Sequence, residues 1–269
     1  MARTYRWQFK VKTYETDRFN RVSDGFYINF LQETASQASA DAGYALEWYM
    51  ENRCLWLIQK ITLRYDHPAL VGDELEVISW VSDFKRVRSH RDYLIRRLSD
   101  NAPILRARAN WVFIDFDQMI PVRIPLEMEP AFDPHTDPLE PLPVILEDAQ
   151  PLENPLTFIE DRRVQYYEID IVEHVNNGVY PRWIEHAIYA ALRHINGSVP
   201  LEFSARQIDY LKPAQIDDPI RVISKIEAFS QHGIAWLHEI TNPVSGEILV
   251  KDRIIQRLPE NAIHALIGY

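Results

Sequence analysis

The chain holds a single cysteine, Cys54, so no internal disulfide can form, and a reducing cytoplasm is the expected setting. No stretch approaches the roughly 18 unbroken apolar residues of a membrane-spanning helix, and residues 1–10 lack the apolar run of an export signal, so neither a membrane span nor export is expected. Basic side chains are outnumbered: 29 Lys and Arg face 39 Asp and Glu, a net charge of -10. That balance argues against a general nucleic-acid binder, whose phosphate contacts need a basic surface. The histidines form no His-x-x-x-His pair with a third ligand, Cys54 has no partner at Cys-x-x-Cys spacing, and no Gly-x-Gly-x-x-Gly or P-loop pattern occurs. No metal and no cofactor are therefore expected.

What the chain does have is apolar bulk and an internal repeat. With 269 residues, 46% of them hydrophobic, it can bury one large core or two moderate ones. Laid without gaps on residues 164–188, residues 11–35 match at Val11/Val164, Tyr14/Tyr167, Glu15/Glu168, Asp17/Asp170, Val22/Val175, Gly25/Gly178 and Tyr27/Tyr180. Further on, Leu63/Ile208, Tyr65/Tyr210, Pro68/Pro213, Ala69/Ala214, Asp73/Asp218, Leu75/Ile220 and Val77/Val222 correspond at an offset of 145. The chain reads as a tandem duplication. Its expected parts are a first unit over 1–129, a linker over 130–158 in which prolines cluster, and a second unit over 159–269.

Each unit reads as a strand, a polar turn, one long helix and a succession of strands, an α+β plan with a sheet wrapped around its helix. In the first unit the expected elements are a strand over 5–14, a helix over 24–42 stopped by Gly43, and strands over 55–65, 74–81, 90–98 and 104–115. In the second they are a strand over 163–169, a helix over 177–195 stopped by Asn196-Gly197, and strands over 204–211, 220–228, 235–241 and 247–257. Val179, Tyr180, Trp183, Ile184, Ala187, Ile188, Ala191 and Leu192 recur at helical spacing, so one stripe of the second helix is apolar. Asp170, His174, Asn176 and Asn177 then sit in the turn before it. There, free backbone N–H groups and the helix dipole are available to a developing negative charge.

The run Asp170-Ile-Val-Glu-His174-Val-Asn-Asn177, with Tyr180 and Trp183, resembles the signature of acyl-acyl carrier protein (acyl-ACP) thioesterases. So do Leu31-Gln-Glu-Thr-Ala35, Trp56, Arg91-Asp92-Tyr93, Ala109-Asn-Trp-Val-Phe-Ile-Asp115 and Pro121-Val-Arg-Ile-Pro125 in the first half. The resemblance implies a tandem, or double, hotdog fold and hydrolysis of fatty acyl-ACP. It implies Asp170 as general base or nucleophile, His174 sharing the proton work, Asn176 aligning the network or capping the helix, and the N–H groups of Asn177 and Gly178 as oxyanion donors. By the same resemblance the first unit holds the acyl chain, near Phe30, Leu31 and Trp56, while Asp17 is structural. Lys85, Arg86, Arg88 and Arg91 form a basic run that reads as a docking patch for an anionic carrier, ACP or CoA.

The chain departs from plant members of that family at two places. Val172 stands where they have asparagine, and Pro213-Ala214 where they have a Glu-Cys pair, so a cysteine nucleophile is excluded there. The rival readings are an acyl-CoA thioesterase and a non-catalytic acyl-binding module. A dehydratase on the same fold is disfavoured, because the turn lacks its usual Asp-x-Asn-Pro-x-His arrangement. Pairing of two such chains into a homodimer is left open, since the tandem already supplies the pseudo-twofold contact.

Overall fold

The computed structural model describes residues 3–135, 138–140, 142–196 and 200–267. The chain divides into Met1–Leu142 and Pro143–Tyr269. The first unit runs β1 (Thr4–Lys10), α1 (Asp24–Asp41), α2 (Leu46–Glu51), β2 (Cys54–Tyr65), β3 (Glu74–Lys85), β4 (Arg88–Arg97), β5 (Pro103–Asp115) and α3 (Met128–Phe132). The second runs β6 (Gln150–Arg163), α4 (Val179–Asn196), β7 (Glu202–Tyr210), β8 (Pro219–Ser230), β9 (Gly233–Thr241), β10 (Ile248–Arg257) and α5 (Glu260–Ile267).

Both units use one antiparallel plan. The strand order is β1-β3-β4-β5-β2 in the first and β6-β8-β9-β10-β7 in the second. Period-2 alternation buries one face of each sheet, and the long helix covers it: α1 packs against β3 and β1, α4 against β8 and β6. The expected apolar stripe of α4 is there, with Tyr180, Trp183, Ile184, Ala187, Ile188 and Leu192 buried. Register confirms the repeat at atomic level. Ser79, Tyr93, Ala107 and Leu63 face one another across β3, β4, β5 and β2. Their equivalents at the offset of 145, Ser224, His238, Asp252 and Ile208, do the same in the second sheet.

Several expectations are corrected. The strand expected over 163–169 lies earlier: β6 ends at Arg163, and Tyr166–Glu168 is a short 3-10 turn. Tyr166 and Tyr167 are 82% and 81% exposed, so their β-favouring side chains line no sheet. Likewise β1 stops at Lys10 and Thr13–Glu15 is a 3-10 turn. The segment 130–158 is not wholly linker, because β6 begins within it and pairs with β8. Its prolines are tolerated because β6 is an edge strand whose register shifts between Pro151 and Leu156. Gly197, and residues 136, 137 and 141 of that segment, lie outside the described residues. The short helices α2, α3 and α5 were not expected. Met128 and Phe132 of α3 bury against Tyr44, Cys54 and Phe113, with Trp48 of α2 packed alongside, so the lone thiol is a core atom. No described helix is long and apolar enough to cross a membrane.

Candidate active site

The second turn is shaped by its own backbone. The Asp170 N–H donates to the His174 carbonyl (2.9 Å), and the Glu173 N–H returns to the Asp170 carbonyl (3.0 Å). Glu173 takes a positive φ of 61° to close the loop. Asp170 and His174 are therefore partners across one tight turn. Asp170 Oδ1 accepts the Val172 N–H (3.0 Å), while Oδ2 has no hydrogen-bond partner among the described residues. The half-buried His174 imidazole likewise has none there.

Below the turn, Glu168 is its anchor. Its carboxylate is buried and accepts the Gln165 N–H on Oε2, and Arg162 Nη2 and Trp183 Nε1 on Oε1, each at 2.8 Å. The Arg162 guanidinium also stacks over the Trp183 ring at 4.6 Å. The Glu168 carbonyl takes the Asn176 N–H (3.0 Å), which joins the turn to the helix start.

At that start Asn176 caps α4. Its Oδ1 accepts the Gly178 N–H (2.9 Å) and its carbonyl accepts the Val179 N–H (2.9 Å). This engages one of the two expected oxyanion donors, Gly178. The other, the Asn177 N–H, has no acceptor among the described residues. Two tyrosines complete the surroundings. Tyr180 Oη accepts the Ala214 N–H (2.9 Å), and Tyr210 Oη donates to the Asn177 carbonyl (3.0 Å). Burial first, and then the charges of Asp170 and Asp218, push the Tyr180 phenol well above its ordinary value, so it stays protonated beside the turn. Chemically, the site combines a carboxylate with a bare oxygen, an imidazole and an unengaged backbone donor at a helix N-terminus.

The other expected site residues divide. Lys85, Arg86 and Arg88 lie exposed at the hairpin between β3 and β4, Lys85 pairing with Asp83 at 2.8 Å. Arg91 does not belong with them. It is 6% exposed, bonds Ser79 Oγ (3.1 Å) and faces the Phe132 ring, because strand alternation puts it on the inner face with Tyr93 and Ile95. Its docking role is therefore withdrawn. Phe30 and Trp56, expected near one pocket, stand in different aromatic clusters, Phe30 against Trp7 and Phe9, and Trp56 against Phe84 and Phe113. Asp17 is a turn ligand as expected, accepting the Phe19 and Arg21 N–H groups (2.7 and 3.0 Å). Glu168, Tyr180 and Tyr210 were given no role in the site, although all three match across the repeat and that identity was the available signal.

Comparison with known proteins bears on the fold and on the family resemblance. Residues 2–131 match the family model of the acyl-ACP thioesterase N-terminal domain, and residues 173–248 match the thioesterase superfamily. The palmitoyl-acyl carrier protein thioesterase of Arabidopsis thaliana is 26% identical over 195 residues, 67% of this chain and 46% of that protein. The chain spans about half the length of the curated relatives it matches. Among solved structures, a Lactobacillus plantarum protein described as an oleoyl thioesterase is 16% identical, with a TM-score of 0.82 over 96% of this chain and 97% of its own. The 12:0-ACP thioesterase of Umbellularia californica is 18% identical, with a TM-score of 0.74 over 94% of each chain. The chain therefore carries the hotdog fold in tandem, and its first unit matches the acyl-ACP thioesterase N-terminal domain while most of its second matches the thioesterase superfamily.

Proposed function

We propose that the chain hydrolyses the thioester of a fatty acyl group on acyl carrier protein, releasing free fatty acid. The observation that carries this reading is the turn itself, where Asp170 Oδ2 and the Asn177 N–H both lack a partner among the described residues at the start of α4. A water gives a proton to the Asp170 carboxylate, with His174 relaying or sharing it, and its oxygen bonds to the acyl carbon. The carbonyl oxygen becomes an oxyanion facing the Asn177 N–H and the helix terminus. Collapse restores the carbonyl, breaks the C–S bond and returns the proton to the departing thiolate. Asn176 holds the helix start in place, and Gly178 serves through the peptide it shares with Asn177.

Lys85, Arg86 and Arg88 are the cations offered to an anionic carrier by an otherwise acidic protein. The first unit is assigned the acyl chain, and the setting is cytoplasmic. CoA is the rival carrier. A second reading, acyl binding without turnover, draws on Val172, which offers no amide beside Asp170. Hydrolysis of ACP and CoA thioesters from short to long chains decides between them. Turnover of the ACP series supports the proposal, and binding of acyl ligands with no turnover of any thioester overturns it.

A further inference from the structure

The peptide between Asn177 and Gly178 is held at both poles. Tyr210 Oη donates to its carbonyl oxygen (3.0 Å), and its N–H donates to Asn176 Oδ1 (2.9 Å). The preceding peptide is held through its carbonyl by the Val179 N–H (2.9 Å). With both planes fixed, the direction of the Asn177 N–H is fixed too, and among the described residues Tyr210 is the one side chain outside the turn that contributes. Tyr210 is itself well seated. Its ring meets the Tyr180 ring edge-on at 5.9 Å, and the segment after it is tied to the turn by the Val175 N–H to Ala214 carbonyl bond (3.0 Å).

Two periods of alternation back along β7 lies Arg206, paired with Asp252 on β10 (Nε to Oδ2, 2.8 Å), both fully buried. Burial pushes the Asp252 carboxyl up to about 6 against the pull of Arg206. Burial, opposed by Arg206 and reinforced by Asp252, also raises the Tyr210 phenol far above neutrality, so the hydroxyl remains a donor.

The first unit lacks this arrangement. Tyr65, the equivalent of Tyr210, donates to the buried carboxylate of Asp24, which occupies the place of Asn177. Ile61 and Ala107 stand where the second unit has Arg206 and Asp252. A buried ion pair is a poor source of stability, since desolvation offsets most of its attraction. Its presence in the second unit, with apolar residues at the equivalent places of the first, fits a role in holding geometry.

We infer that Tyr210, backed by the buried Arg206–Asp252 pair, is a positioning residue for the backbone donor at Asn177. The inference rests on the proposed thioester hydrolysis, and its test carries a readout that does not. In the full chain, Tyr210→Phe lowers kcat by about 10- to 100-fold with KM within about twofold, a fraction of what an oxyanion donor itself supplies. Tyr65→Phe, the matched change in the first unit, leaves kcat within about twofold. A kcat that survives Tyr210→Phe, or falls equally in both variants, overturns the inference. Independently of turnover, the amide resonances of Asn177 and Gly178 shift and exchange faster with solvent in Tyr210→Phe. Unmoved amides overturn it even if hydrolysis is established, and moved amides support it even in a chain that hydrolyses nothing.

Discussion

The two turns of this molecule are built on nearly one backbone and carry different chemistry. In both, the aspartate N–H donates to a carbonyl four residues on, at 2.7 Å for Asp17 and 2.9 Å for Asp170. In both, a carbonyl in the loop after β2 or β7, that of Ala69 or Ala214, takes the N–H of Val22 or Val175. A helix tyrosine, Tyr27 or Tyr180, bonds the N–H of that same alanine, at 3.2 and 2.9 Å. Positive φ recurs at Asn20 and Glu173. The cradle is therefore a property of the fold. What differs is what the cradle presents: Arg21, Ser23 and Asp24 in one unit, His174, Asn176 and Asn177 in the other. Asp24 places a buried carboxylate at the start of α1, where an oxyanion would be repelled, and Asn177 removes that charge.

Four contrasts break or sharpen this comparison. His174→Ala lowers kcat for thioester hydrolysis by about 100- to 1000-fold, the range of a lost proton-transfer group, whereas Arg21→Ala leaves turnover within about twofold; steady-state kinetics on purified acyl-ACP reads both. Glu168→Gln removes the charge that Arg162 and Trp183 hold, costing about 3 kcal/mol in urea unfolding. At the equivalent Glu15, whose carboxylate accepts no hydrogen bond but that of the Lys12 N–H among the described residues, Glu15→Gln costs about 1 kcal/mol.

The third contrast is in acid. The Glu76 carboxyl is held below its ordinary 4.5, since hydrogen bonds from Gln8 and Arg96 and the charges of Arg96 and Arg6 together outweigh its burial, which alone would raise it. A depressed carboxylate stabilises the fold above its unfolded value and loses that contribution as pH falls through the lower folded one. Thermal midpoints should therefore drop below pH 4.5, less steeply in Glu76→Gln. Arg221, at the equivalent place, forms an exposed pair with Asp161, and Arg221→Gln moves the midpoint hardly at all. Smallest is the docking effect. Lys85→Ala with Arg88→Ala raises KM for acyl-ACP a few-fold at low salt and not at high salt, with kcat unchanged.

Much of the architecture was legible because it was written twice. A repeated Asp-containing turn before an apolar helical stripe fixes the order of elements, and period-2 alternation places most strands. The failures have local physical causes. Tyr166 and Tyr167 favour strands by type, yet the Glu168 side chain closes a capping turn on Gln165 instead, a choice that depends on Arg162 and Trp183 as partners. Arg91 was grouped by charge with its neighbours, although alternation with Tyr93 and Ile95 already pointed it inward. The prolines of β6 suggested a linker because an edge strand tolerates what a central strand does not. Tyr210 reaches Asn177 across 33 residues, and no window of sequence encodes that bond.

The most direct test of the account compares Asp170→Asn with Asp17→Asn in hydrolysis of an acyl-ACP series. The account predicts that Asp170→Asn abolishes turnover, by about 1000-fold or more, while the protein stays folded. Asp17→Asn should lower stability by about 1–2 kcal/mol, through weakened bonds to the Phe19 and Arg21 amides, and leave kcat nearly unchanged. Equal losses of kcat in the two variants, or full activity in Asp170→Asn, would contradict the claim that the second turn does the chemistry.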